Sequence, residues 1–419
     1  MLVSLPLFSE AQTNGSILES HISSHVSLHQ ACKEGNLGIV KYIVQHNQEN
    51  IDSLDKLGQT PLMVAALFGK VDVFNYLLPH SNKLTMINEN RNNILHLAAK
   101  GGSVTIVKRV LSLHVVSIES REHSEKTPVL MAARFGHREV LELLVDEGCN
   151  IKAVDGLKNN VLHLACVNGN LNTVSYILSK DFVDIDSKGY REQTPIMFAA
   201  LHGHIHIFDF LLKKGCNVQL VNVRNENTLH LACVYRKDII VKYILFHDIF
   251  GTEIKGLYGR TPIMAAAYSG CTKCFDLLLS KGSDLNAHDN FKNSILHWAC
   301  FGGHVYMIKY IQFHGNMSLN VTHPDGFTLL MAAVWEGRLE ALKFLLSKGA
   351  DVKAIDQKGK NVLHYACERR MVEIVKYLLK LNLVDLNQKD RLGRTSLQFA
   401  KERGYNEIVR LFITHPVSK

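Results

Sequence analysis

The sequence nearly repeats itself every 67 residues. GQTPLMVAALFG from Gly58, EKTPVLMAARFG from Glu125, EQTPIMFAALHG from Glu192 and GRTPIMAAAYSG from Gly259 recur at that step. Between them runs a second series: NNILHLAAKGG from Asn92, NNVLHLACVNG from Asn159, ENTLHLACVYR from Glu226, NSILHWACFGG from Asn293 and KNVLHYACERR from Lys360. With the Thr of Thr-Pro or its equivalent as anchor, the units start at 26, 60, 93, 127, 160, 194, 227, 261, 294, 328, 361 and 395, at intervals alternating between 34 and 33. A chain built this way is constrained to a stack in which each unit buries its apolar face on its neighbours. The 419 residues therefore count repeats rather than independent domains of ~150 residues.

Each unit reads as two short helices. Thr60, Thr127, Thr194 and Thr261 are placed to cap the first helix, with Pro61, Pro128, Pro195 and Pro262 at its first position, where a missing N–H costs nothing. The alternate units cap with Asn93, Asn160, Asn227 and Asn361. Small pairs such as Ala98-Ala99, Ala165-Cys166 and Ala199-Ala200 let adjacent helices approach within ~8–10 Å. Gly69, Gly136 and Gly203 turn the chain into a second helix carrying apolar pairs such as Leu77-Leu78, Leu143-Leu144, Leu211-Leu212 and Leu345-Leu346.

This pattern, D-x-x-G-x-T-P-L-H-x-A-A-x-x-G followed by a Leu-Leu helix and G-A-D, resembles the ankyrin repeat. Gly148, Gly215, Gly282 and Gly349 stand where that family ends its second helix with glycine. The resemblance implies an all-α solenoid of stacked helix-turn-helix units with short hairpin-like loops. Residues 1–20 are expected to be irregular, with Ile17 to Ser20 starting a capping helix, and 21–419 to form a single continuous array of about twelve repeats. Lys401, Glu402, Arg403, Glu407 and Arg410 read as a polar cap on the last unit, and Pro416 as its stop.

Composition narrows the function. With 47% hydrophobic and 21% charged residues the chain is neither disordered nor strongly charged, and its net charge of +8 is too dilute to make nucleic acid the default partner. No apolar run approaches the ~18–20 residues of a membrane helix. The N-terminus lacks a basic region and cleavage site, so the cytoplasm, or the nucleus, is the expected compartment and a monomer the expected state.

Nine cysteines and 22 histidines suggest chemistry until they are placed on the repeat. Cys32, Cys166, Cys233, Cys300 and Cys367 share one slot where the family has Ala, and there they are expected to behave as small buried hydrophobes. At two repeats, ~20 Å, between successive members, they cannot form disulfides, which need Cα atoms within ~7 Å. Cys149 and Cys216 are likewise a block apart. Cys271 and Cys274 form a lone C-x-x-C on a second helix, without the partner pair of a zinc site, so all nine thiols are expected to be free. His29, His96, His163, His230, His297 and His364 are the motif His, which in the family hydrogen-bonds the neighbouring turn; His202, His204 and His206 sit at a tight turn without carboxylate or Cys nearby. No nucleophile elbow, paired carboxylates or phosphate loop is present. An enzyme, a metal and a cofactor are therefore not expected.

What remains is where the copies differ. The family's concave, ligand-facing surface is formed by hairpin tips just before the anchor and by positions seven and eight after it. Position seven reads Lys33, Leu67, Lys100, Arg134, Val167, Leu201, Val234, Tyr268, Phe301, Trp335, Glu368 and Glu402, and position eight adds Phe68, Phe135 and Tyr235. Either these residues form a hydrophobic, aromatic ridge suited to protein hot spots, or they are packing between repeats. Contact is favoured for Tyr268, Phe301 and Trp335. The tip residues Lys126, Glu226, Arg260, Lys360 and Arg394 would steer a partner more than hold it. A second stripe, Lys41-Tyr42, Lys242-Tyr243, Lys309-Tyr310 and Lys376-Tyr377, reads as helix packing under a solvated face. The candidate partner-binding residues are thus Leu67, Phe68, Phe135, Leu201, Tyr235, Tyr268, Phe301, Trp335, Lys126 and Arg260. The expected function is that of a non-enzymatic scaffold or adaptor holding a protein in its groove. The alternatives are an inhibitory or regulatory subunit of an enzyme, and the targeting portion of a larger channel, acyltransferase or ubiquitin-ligase polypeptide, against which the polar C-terminal cap is set.

Overall fold

The computed structural model describes residues 26–46, 49–315 and 317–414; the readings for residues 1–20 and Pro416 lie outside them. Among the described residues there are 24 α-helices, three short 3-10 turns and no strand beyond a single bridge between Thr322 and Thr328. The chain divides into two compact units, Met1–Tyr190 and Arg191–Lys419. The first holds five helix pairs, from Leu28–Glu34 with Leu37–Gln45 to Val161–Asn168 with Leu171–Ser179. The second holds seven, from Pro195–His202 with Ile205–Lys213 to Ser396–Glu402 with Asn406–Thr414.

In each unit the first helices of successive pairs pack on one another, and so do the second helices. The small pairs explain the spacing: Ala98, Ala99, Ala165, Cys166, Ala199 and Ala200 are completely buried. Gly302 marks the closest approach, since a Cβ there would collide with the Tyr268 carbonyl of the preceding first helix. Leu77, Leu144, Leu211 and Leu345 are fully buried from the second-helix side.

The two unit types start their helices differently. Asn93, Asn160, Asn227 and Asn361 each accept the backbone N–H of the His three residues on, at 3.0–3.2 Å. In return the His Nδ1 of His96, His163 and His364 accepts the backbone N–H of its cap. The Thr-Pro units lack that His. Thr60 still caps, accepting from Met63 N at 3.2 Å. Thr127, Thr194 and Thr261, expected to cap, do not, and their buried hydroxyls find no partner. Prolines pre-set the backbone of these helices instead.

The other ring nitrogen fastens the stack. His Nε2 donates to a hairpin-tip carbonyl 30 residues on: His29 to Gln59 at 2.9 Å, His96 to Lys126 at 3.1 Å, His230 to Arg260 at 3.0 Å, His297 to Phe327 at 3.3 Å and His364 to Arg394 at 3.2 Å. The tips themselves are closed by a side-chain carbonyl or carboxylate that accepts two backbone N–H groups, as Asp289 does from Phe291 and Asn293 and Asp356 from Lys358 and Lys360. On the outer face, the Tyr stripe is tied to the preceding repeat: Tyr243 donates to Asp209 at 2.6 Å and Tyr310 to Asp276 at 2.5 Å. The acceptor carboxylate pushes both phenols up to about 12.

Cysteine is where the structure departs from the sequence reading. The five slot cysteines, with Cys149 and Cys216, are buried and outside any disulfide, but Cys271 and Cys274 are joined as one. Cys271 caps the Thr272–Ser280 helix in extended conformation, its sulfur accepting the Cys274 N–H at 3.2 Å. Residues three apart at a helix start face each other, here with Cα atoms 5.3 Å apart, so one pair suffices without a second. Burial pushes the Cys32, Cys149 and Cys367 thiols up to about 12, far from nucleophilic range.

Candidate partner-binding groove

Within the second unit the first helices and the hairpin tips frame a groove of about 800 Å³. Position seven supplies one wall residue from each of five consecutive repeats: Val234, Tyr268, Phe301, Trp335 and Glu368. All five are half-buried. Tyr235, from position eight, and Arg260, from a tip, also line it.

The rings touch in series. Tyr268 meets Trp298 at 6.0 Å, Trp298 meets Phe301 at 5.5 Å, Phe301 meets Phe327 at 6.3 Å, Phe327 meets Tyr365 at 5.3 Å and Tyr365 meets Trp335 at 5.8 Å. Most of these contacts are edge-to-face, the arrangement the ring quadrupole favours. At the rim Tyr258 and Phe291, each more than half exposed, pair at 5.1 Å.

Trp298, Phe327 and Tyr365 are groove residues that the reading by position seven missed. The signal was present: the slot four after the anchor reads Leu97, Leu164 and Leu231 in three copies, then Trp298 and Tyr365 in the next two. Phe327 occupies a tip slot that is polar in the neighbouring copies Asn293 and Lys360.

Several charges in the groove are compensated from within, although Arg224, Lys358 and Glu336 also line it. Arg260 is buried, ion-paired with the equally buried Glu226, and its guanidinium lies 5.1 Å from the Trp298 ring. Lys360 bonds Glu368 at 2.7 Å and lies over Tyr365, and Arg369 lies 4.7 Å from the Trp335 ring. Burial and a hydrogen bond to Asp356 push the Tyr365 phenol up. The tip charges are therefore not the free steering charges the sequence suggested. Lys126 behaves alike, bonding Glu122 at 3.3 Å with both side chains largely buried.

The other candidates lie apart. Phe135 and Lys126 line a small hollow of about 210 Å³ in the first unit. Lys100 sits over the Phe135 ring and Lys33 over the ring of the exposed Phe68. Leu67 and Leu201 are half-buried. His202 and His204 stack at 6.1 Å. Among the described residues no cluster of three or more potential metal ligands forms, and no helix is long and apolar enough to cross a membrane.

The family described as ankyrin repeats in three copies matches residues 28–419 in overlapping segments. The chain is 23% identical to the human transient receptor potential cation channel subfamily A member 1, over 92% of its own length and 39% of the channel's. It is 28% identical to palmitoyltransferase AKR1 of Lachancea kluyveri, over 47% of its own length and 28% of that protein's. It is also 25% identical to the mouse B-cell lymphoma 3 protein homolog, over 53% and 51% respectively. The chain thus spans about two fifths or less of the first two relatives.

Proposed function

This chain belongs to the ankyrin repeat family, whose repeats mediate protein–protein interaction, and we propose that it is a binding protein that holds a segment of a partner protein in the groove between Val234 and Glu368. The observation that carries this reading is the series of six touching rings, converging from consecutive repeats on one cavity of hot-spot composition. A fold-only requirement is met by Leu at the same slots in other copies, so Trp298 and Tyr365 exceed what stacking needs.

The test is affinity capture with the wild-type chain and with the triple variant Tyr268→Ala, Phe301→Ala, Trp335→Ala, after circular dichroism has shown equal helicity. Partners held by the groove are absent from the variant's eluate; an unchanged set of partners refutes the assignment. The second reading, a binding portion of a larger assembly, is favoured by the channel and the palmitoyltransferase, which match over only part of their length. In that reading the groove does the same work.

A further inference from the structure

Resting on the groove as the site that holds the partner, we infer that Arg236, His304 and Arg338, along one edge of it, form an anion site for an acidic side chain of that partner, a carboxylate or a phosphate.

The first argument is backbone strain. The slot nine after each repeat anchor is glycine in ten of the twelve copies and turns the chain in the left-handed conformation, as Gly203 does at φ +83° and Gly270 at φ +69°. The exceptions are Arg236 at φ +59° and Arg370 at φ +57°. An L side chain holds this conformation at a cost that glycine avoids. Arg370 gains a stacked contact that offsets it, with its guanidinium 4.9 Å from the Tyr405 ring. Arg236 is exposed, and its guanidinium has no ion pair, hydrogen bond or ring contact among the described residues. Strain that nothing in the fold offsets points to a functional position.

The second argument is a set of unused donors. The slot that follows fastens some repeats to the position-seven carbonyl of the repeat before, as His137 Nε2 does to Lys100 at 2.9 Å. Arg338 makes that bond to Phe301 through Nε at 2.9 Å, which leaves its two terminal amino groups unbonded. The His304 ring covers Gly270, and among the described residues neither of its nitrogens has a hydrogen-bond partner. At these two slots the repeat between Arg236 and His304 carries only Gly270 and Cys271, so it adds no long side chain there. Burial pushes the His304 ring below its ordinary pKa, and the charges of Arg236 and Arg338 lower it further. Both cations therefore stand within electrostatic reach of the ring.

The third argument is net charge and place. Residues 191–419 carry 30 Lys and Arg against 20 Asp and Glu, and residues 1–190 carry 17 against 19, so the positive excess belongs to the unit that holds the groove. Of the acids nearby, Asp238 pairs with Lys273 at 3.9 Å and Glu340 with Lys343 at 2.8 Å, and Glu336 lines the groove. Tyr235 and Phe301 line it too, so Arg236, His304 and Arg338 each follow a groove residue within three positions. A partner lying in the groove passes this edge, and the planar forks of two arginines suit the paired oxygens of an acid.

His304 supplies the direct readout. Inorganic phosphate and acetate are titrated separately into the full chain at constant ionic strength, with the histidine ring signals followed by NMR and His304 assigned by its loss in His304→Gln. At least one anion should move the His304 signal saturably. Arg236→Gly should weaken that response about tenfold, and Arg338→Gln likewise. Because Arg236→Gly restores the residue of ten other copies, its thermal midpoint should equal or exceed that of the wild type. Arg370→Gly should leave the anion response unchanged. No saturable shift with either anion, equal responses of wild type and Arg236→Gly, or an equal loss in Arg370→Gly overturns the inference.

Peptides from a displayed random library, selected on the wild type and counter-selected on the triple groove variant, separate the two proposals. They should carry a Glu or Asp whose replacement by Gln or Asn weakens binding to the wild type about tenfold and binding to Arg236→Gly far less. Phosphoserine at that position distinguishes the sources: tighter binding than Glu identifies a phosphate as the fitting group, weaker binding a carboxylate. Groove-dependent peptides without such an acid overturn the inference and leave the proposed function standing, and no groove-dependent enrichment overturns both.

Discussion

His297 provides a quantitative test of how the stack holds the groove. Its ring is fully buried. Nε2 donates to the Phe327 carbonyl at 3.3 Å, and Nδ1, at 2.9 Å from the Ser294 hydroxyl, accepts from it. Both nitrogens are satisfied only in the neutral ring, and burial lowers the pKa from 6.5 to about 4. A folded pKa below the unfolded one means that the unfolded chain takes up the proton first. Stability is then full above pH 6.5 and falls as pH drops from about 6.5 to about 4, levelling off below. At 1.36 kcal/mol per unit the full loss is about 3 kcal/mol, of which about 2 kcal/mol is lost by pH 5. Urea unfolding at pH 7.5 and pH 5.0, followed by fluorescence of the adjacent Trp298, measures it. His297→Gln removes this share of the pH dependence, so the variant should lose about 2 kcal/mol less than wild type between the two pH values. Equal losses in the two proteins would refute the buried neutral network. His230, lowered to about 4 chiefly by burial, should behave likewise.

Arg260→Ala leaves the buried Glu226 without its partner and should destabilise the second unit by about 3–5 kcal/mol, whereas the double variant Glu226→Gln, Arg260→Met should recover most of that in denaturant titration. Gly282 sits at φ +85° with nothing near a would-be Cβ, so Gly282→Ala should cost about 1–2 kcal/mol from backbone strain alone, and Gly282→Asn less, by thermal unfolding. Thiol titration in denaturant should count seven groups without reductant and nine after reduction and its removal; nine without reductant would contradict the Cys271–Cys274 bond.

The repeat made the architecture legible because each helix pair is specified locally. The Asn caps could be read from their spacing, and the resemblance to the ankyrin repeat implied the bond of the His to the neighbouring turn. Thr127, Thr194 and Thr261 could not be read this way, because Thr60 has the same Thr-Pro start with Met three residues on and does cap, so the local sequence does not tell the capping threonines from the others. In the groove, Tyr235, Tyr268, Phe301, Trp335 and Arg260 were legible as members of ligand-facing slots. Trp298 and Tyr365 were not, because their slot holds ordinary core leucine in three other copies, and only a copy-by-copy comparison of that slot exposes the change. Burial of Arg260 escaped the sequence because its partner, Glu226, stands 34 residues away and meets it only once two tips are stacked.

The central claim is that a partner protein docks on the aromatic series of the second unit. Its most direct test is the tryptophan emission of the full chain titrated with the partner recovered by capture. Because Trp298 and Trp335 both line the groove, docking there must shift or quench the emission saturably, at the stoichiometry of binding. Full binding with unaltered emission would contradict the account.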